Sequence, residues 1–169
     1  GVTDKAIQAF EEAVKTGVEL EVRYLRLGRL YLGQKQIDRA YECFQKAMEA
    51  QLDPTRSYRE MLLRDLDTMA EEPEHRARIE AKLQEGVTAE DLAPYDLATI
   101  RWSQERDQGT AVLHNYLGWC LVQSNHFGEA ARHFEASLQI WPENRNALEN
   151  LKVIEQIRAE QPGLVADPS

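Results

Sequence analysis

Cysteine is scarce in this chain, with only Cys43 and Cys120 among 169 residues. Two thiols far apart in sequence build neither a disulfide framework nor a zinc or redox motif. Buried free thiols in a reducing compartment are expected instead, and with them a cytoplasmic location. No apolar run approaches the roughly 20 residues of a membrane span, so a spanning helix is excluded. The nine glycines and six prolines are spread along the chain, which leaves no low-complexity linker and no collagen-like period. Positive charge is in deficit, 20 Lys and Arg against 29 Asp and Glu for a net charge of −9. That field repels a phosphate backbone, and nucleic acid is not expected as a partner. Gly1 to Asp4 open without a basic segment followed by an apolar one, so no signal peptide is expected. The start at Gly rather than Met points to a chain that extends upstream.

What is present is the composition of one globular domain or a short repeat array, 43% hydrophobic and 29% charged. Self-comparison finds a period. Ala6, Phe10 and Ala13 recur 34 residues later as Ala40, Phe44 and Ala47, and 90 residues after that as Ala130, Phe134 and Ser137. Ahead of the triplet, Tyr24, Leu27, Gly28 and Tyr31 match His114, Leu117, Gly118 and Leu121, and a further step of 34 carries Leu117 onto Leu151 and His114 onto Leu148. Each set sits at helical steps of three and four, which predicts pairs of antiparallel helices with facing apolar stripes. Glycine at 28 and 118 and alanine at 40 and 130 remove bulk where two backbones approach. Phe44 and Phe134 then wedge between a helix pair and its neighbour, because a unit too small to bury its own core completes it by stacking.

Tyr24, Leu27, Gly28, Tyr31, Ala40, Phe44, Ala47 and Pro54, in that order, resemble the tetratricopeptide repeat family, whose units are 34-residue helix-turn-helix pairs. Val112 to Pro142 repeats the pattern, with His114, Leu121 and Ser137 departing from the commonest residues. The expected fold is all-α, a single helix-turn-helix repeat array over 1–160 with an irregular middle. Its parts are a half repeat at 4–17, repeats at 21–54 and 111–142, a closing helix at 145–158, and a flexible tail at 161–169.

Regular spacing would place 68 or 102 residues between the second and third signatures, yet the step is 90, so 55–110 is irregular. Ser57 with Glu60 reads as a capping box opening a helix through Met61, Leu62, Leu63, Leu66 and Met69. A second helix from Pro73 to Gln84 carries Ile79 and Leu83 and stops at Gly86. Thr88 with Asp91 is another capping signature, followed by apolar residues from Leu92 to Trp102 that Pro94 must begin or bend. Two readings stay open: a degenerate repeat with an extra helix, or an excursion folded across the inner groove. Tyr95, Ile100 and Trp102 are expected to be buried; if exposed, they mark a contact surface.

Catalysis has no visible centre. There is no glycine-rich phosphate loop, no Gly-x-Ser-x-Gly elbow and no Cys/His nucleophile pair, and the clustered carboxylates Glu11, Glu12, Glu71, Glu72 and Glu74 read as solvated helix faces. His126, Glu129 and His133 share a helical face by spacing, but the repeat register turns Glu129 and His133 outward, and too few ligands converge for a metal. His114 takes a packing position and is expected to be partly buried. No metal, no cofactor and no enzymatic activity are expected.

Arg23, Arg26 and Arg29 recur three apart on the first helix of a repeat. The family resemblance implies that such helices line a groove for partner segments, with Leu25, Arg29 and Leu32 inward and Arg26 beside them. In the later copy it places Asn115, Trp119, Val122 and Gln123 inward, and Asn150 at a position where the family uses asparagine to hold peptide backbone. Guanidinium groups suit carboxylates, so an acidic or amphipathic protein segment is the expected partner. Pairing of the arginines with Glu19, Glu21 or acidic residues of the middle segment is the competing reading. The lysine, arginine and asparagine clamp by which some members hold chaperone tails is not reproduced, since Leu25 and Val22 stand where it needs polar groups. The chain is thus expected to be a non-enzymatic scaffold or adaptor. Self-association through uncapped ends, or service as the accessory region of a larger enzyme, are the alternatives.

Overall fold

The computed structural model describes residues 1–17, 19–68, 73–161 and 163. Among these residues the regular structure is all helical: α1 (Val2–Val14), α2 (Leu20–Gly33), α3 (Ile37–Gln51), α4 (Pro54–Thr68), α5 (Pro73–Glu85), α6 (Leu97–Glu105), α7 (Gln108–Gln123), α8 (Phe127–Ile140) and α9 (Arg145–Glu160), with a short 3-10 turn at Ala89–Leu92. By their contacts they fall into two compact units, 1–51 with 106–169 and 52–105. Met69, Glu71, Glu72 and nearly all of the tail at 161–169 lie outside the described residues.

In the first unit the helices pair as the apolar stripes dictate, α1 on α2, α2 on α3, α7 on α8 and α8 on α9. The two helix pairs turn by the same device. Lys35 after α2 and Asn125 after α7, 90 residues apart, both adopt a left-handed backbone, φ 60° and 62°. The following N–H groups of Gln36 and His126 then donate back to Tyr31 O (2.9 Å) and Leu121 O (2.8 Å). Carbonyls that a helix end leaves without a partner are thereby satisfied.

Inside each pair a glycine faces an aromatic ring. A Cβ on Gly28 would lie 2.6 Å from Phe44 Cε1, and one on Gly118 would lie 2.7 Å from Phe134 Cε1. Both rings are fully buried, so they have nowhere to retreat. Phe44 also stacks on Tyr116 of α7, ring centroids 4.8 Å apart at 15°. Around it Ile7, Leu27, Tyr31, Ala40, Cys43 and Ala47 form one core with Leu113, Leu117 and Cys120. A second core joins Leu121, Ala130, Ala131, Phe134, Ala147 and Ile154, and Tyr41 packs against both.

That shared packing accounts for the 90-residue step. α3 packs directly on α7, and Gln51 Nε2 donates to Asp107 Oδ1 at 3.0 Å although 56 residues separate the two. Ninety is therefore one 34-residue period plus an interruption of 56, rather than a whole multiple of 34. Among the described residues of this unit, no helix stands between α3 and α7. Asp107 also opens α7, accepting from the Gly109 N–H at 2.7 Å, as an N-cap carboxylate should.

Ser137, which departs from the alanine of its equivalent Ala47, has work of its own. Its fully buried hydroxyl donates to Ala111 O of α7 at 2.7 Å and accepts from Asn144 Nδ2 at 2.9 Å. Asn144 Oδ1 in turn caps α9 through the Ala147 N–H. The start of α9 is thus tied to α7 through α8, and an alanine at 137 would strand a buried amide.

The unit 52–105 is built differently from its expectation at one end. Its first helix opens at Pro54 rather than at Ser57, because Asp53 Oδ1 accepts from the Thr55 N–H (2.9 Å) and hydroxyl (2.8 Å) ahead of a proline already suited to the first turn. Glu60 is then drawn to Arg56 Nη2 at 2.9 Å instead of to a cap. α5 ends at Gly86, φ 98°, whose N–H reaches Lys82 O. The Thr88/Asp91 capping box forms, but it opens only the 3-10 turn. Asp91 also pairs with Lys82 Nζ at 2.8 Å, and that hydrogen bond holds its carboxyl below the usual range. Gln104 Nε2 donates to Asp53 O at 2.6 Å, joining the end of the unit to its beginning. Leu62, Ile79 and Leu92 are its buried apolar residues. Tyr95, ahead of α6, and Trp102 on it are not buried as expected; they stay exposed with Leu97, while Ile100 is half-buried.

Candidate partner-binding cleft

The first helices of successive pairs, α2, α7 and α9, line a cleft in the unit 1–51 with 106–169. Leu32 comes from α2, Asn115, Tyr116 and Trp119 from α7, and Asn146, Glu149 and Asn150 from α9. The register explains the convergence: Trp119 of α7 corresponds to Arg29 of α2 and, 34 residues on, to Val153 of α9. Trp119 is 40% exposed, a large apolar area left open where its neighbours are covered. At the cleft wall Asn150 Nδ2 donates to Asn115 Oδ1 at 3.2 Å. This fixes both amides and leaves Asn150 Oδ1 as an acceptor and Asn115 Nδ2 as a donor.

Four of the nine residues picked from sequence, Leu32, Asn115, Trp119 and Asn150, line this cleft. Leu25 packs half-buried against the first core and Val122 against the second. Gln123 is exposed at the end of α7. Arg26 and Arg29 are exposed on α2 and form no ion pair with Glu19, Glu21 or any other described residue. Arg23 has a structural task, donating from Nη1 to Ala13 O and Thr16 Oγ1, both at 2.5 Å, and so tying α2 to the end of α1.

Tyr116, Asn146 and Glu149 were missed. A signal existed for Glu149, which lies 34 residues beyond the inward Asn115. Tyr116 had none, because its ring serves the core through Phe44 and the cleft at once.

Two expectations about titratable groups meet different fates. Burial pushes the Cys43 thiol up to about 11 and Cys120 to about 12, so both are inert at neutral pH. His133 does not turn outward; it is half-buried, with its Nδ1 2.9 Å from Nδ1 of His114. The imidazole at 114 is smaller than the equivalent Tyr24, and the space left lets a ring from α8 reach across. Among the described residues no group of three or more His, Cys, Asp or Glu could hold a metal ion. No helix among them is long and apolar enough to cross a membrane.

A family model for the tetratricopeptide repeat matches residues 23–54, the pair α2 and α3 up to the start of α4. No curated protein and no solved structure matches the chain. Repeats of this kind are protein-protein interaction modules and are typically non-catalytic. The matched unit, the repeated register and the stacked antiparallel helices agree, so residues 23–54 form a tetratricopeptide repeat within an all-helical array.

Proposed function

We propose that the cleft between α2, α7 and α9 receives a peptide segment of a partner protein, and that the chain serves as a scaffold or adaptor. The observation that carries this reading is the cleft's composition: an open indole at Trp119 and the side chain of Leu32 beside a fixed amide pair, Asn115 and Asn150. Apolar area supplies affinity, and amides offer a donor and an acceptor to an extended or helical backbone. Arg26 and Arg29, exposed on α2, favour an amphipathic segment with acidic residues over a basic one.

Peptides selected against the chain from a random library test this. Trp119→Ala is expected to weaken the selected peptides tenfold or more, as loss of a central aromatic anchor does. Arg26→Glu with Arg29→Glu is expected to weaken acidic peptides and to lower their salt dependence. Isothermal titration with each variant checks both. Unchanged affinity for Trp119→Ala would remove the cleft as the binding site.

A further inference from the structure

His114 of α7 and His133 of α8 meet in a way that their equivalents in the preceding pair, Tyr24 and Cys43, do not. The Nδ1 atoms are 2.9 Å apart and the ring centroids 5.2 Å. The difference is about twice the distance from an imidazole centroid to its nitrogen, so the two nitrogens lie close to the line joining the rings, head to head. A metal held by both would need their lone pairs to converge on one point about 2.0–2.1 Å from each. Opposed lone pairs instead suit one shared proton, with one ring donating N–H and the other accepting.

The surroundings make that proton count matter. Both rings are half-buried. Among the described residues, the charged group that acts on His114 is His133, and the one that acts on His133 is Arg132 beside it. Glu129, one turn earlier on α8, acts on Tyr41 of α3 instead, and no titratable group of α3 or α9 acts on either imidazole. Among the described residues no acidic group acts on either ring to stabilise an imidazolium.

We propose that this pair is a proton-operated latch, which holds α8 to α7 while the rings share one Nδ1 proton and releases when acidification protonates both. With both rings charged, two N–H groups face each other and the acceptor is gone. Burial lowers the affinity of both rings for protons; His114, which also feels the charge of His133, is pushed down to about 4. The unfolded chain titrates near the ordinary 6.5, so it binds more protons than the folded one between the two values. Stability is therefore complete above about 6.5 and falls as the pH drops toward about 4. His114 precedes Asn115 and lies just over a turn from Trp119, so release would also deform the cleft. That consequence rests on the proposed function, whereas the latch itself is read without any ligand.

Thermal melts at pH 7.5 and 5.0 test it on the full chain. His114→Tyr with His133→Cys installs the equivalents from the preceding pair and serves as the comparison, and His126→Gln, at an exposed histidine, controls for loss of a histidine alone. The parent and the control are expected to lose about 5 °C more than the double variant on acidification. Equal losses in all three would overturn the latch. Imidazole titration by NMR needs no variant: the His114 ring is expected to remain neutral at pH 5.5 and the His133 ring to titrate below the ordinary value. Titration of both rings of the pair at the ordinary value would overturn it equally.

Discussion

Replacing Phe44 with alanine is expected to destabilise the chain by about 3–5 kcal/mol, the largest effect of any single truncation here. The ring is fully buried, covers Gly28 in its own pair and stacks on Tyr116 across the seam. Its removal opens a cavity bounded by three helices, α2, α3 and α7, none of which can close it alone. Phe134 fills the same place against Gly118 in the second core, and Phe134→Ala should cost a similar amount. The two differ in what they join. Phe44→Ala weakens the contact between α3 and α7, so its unfolding should lose cooperativity, seen as a smaller denaturant slope as well as a lower midpoint. Urea melts followed by circular dichroism read both quantities.

Alanine at Gly28 or Gly118 is expected to destabilise as well, against the helix preference that favours alanine over glycine by about 1 kcal/mol. The added methyl would meet the Phe44 or Phe134 ring at 2.6 or 2.7 Å, and overpacking of this kind costs about 1–3 kcal/mol. Gly33, at the end of α2 with nothing within 4 Å of its would-be Cβ, is the control. Gly33→Ala should be neutral or mildly stabilising while Gly28→Ala lowers the melting temperature. Leucine at 28 or 118 should do worse than alanine, since a longer side chain must displace the ring altogether. A Gly28→Ala melt no lower than the parent would show that α2 and α3 do not approach at this point.

Gly28, Gly118, Phe44 and Phe134 were legible in the sequence as packing positions because they repeat, and a repeat states a packing rule twice; that each ring faces the glycine of its own pair came from the structure. Features used once were harder to read. Ser57 offered a capping box, but Asp53 and Pro54 together make a stronger start three residues earlier, and local capping patterns do not rank themselves. The outward turn assigned to His133 followed from the register alone, which is blind to the room left when His114 replaces a tyrosine. The 90-residue step could be factored only once Gln51 and Asp107 were seen to touch, since periodicity counts residues and cannot tell which helices pack. In the cleft, Trp119 and Asn150 were readable as family positions. Tyr116 was not, because an aromatic at helical spacing in a core does not declare a second exposed edge.

Helices α3 and α7 form one continuous stack across the intervening residues. Four residues, 141–144, join α8 to α9 in that stack. Replacing 52–106 by three Gly or Ser residues, with Asp107 kept as the cap of α7, gives α3 and α7 a connection of the same length. Circular dichroism and a urea melt of this shortened chain test that continuity. A helical protein with a single cooperative transition, lowered in the same chain by Phe44→Ala, is the expected result. A shortened chain without cooperative unfolding, or one indifferent to Phe44→Ala, would contradict it.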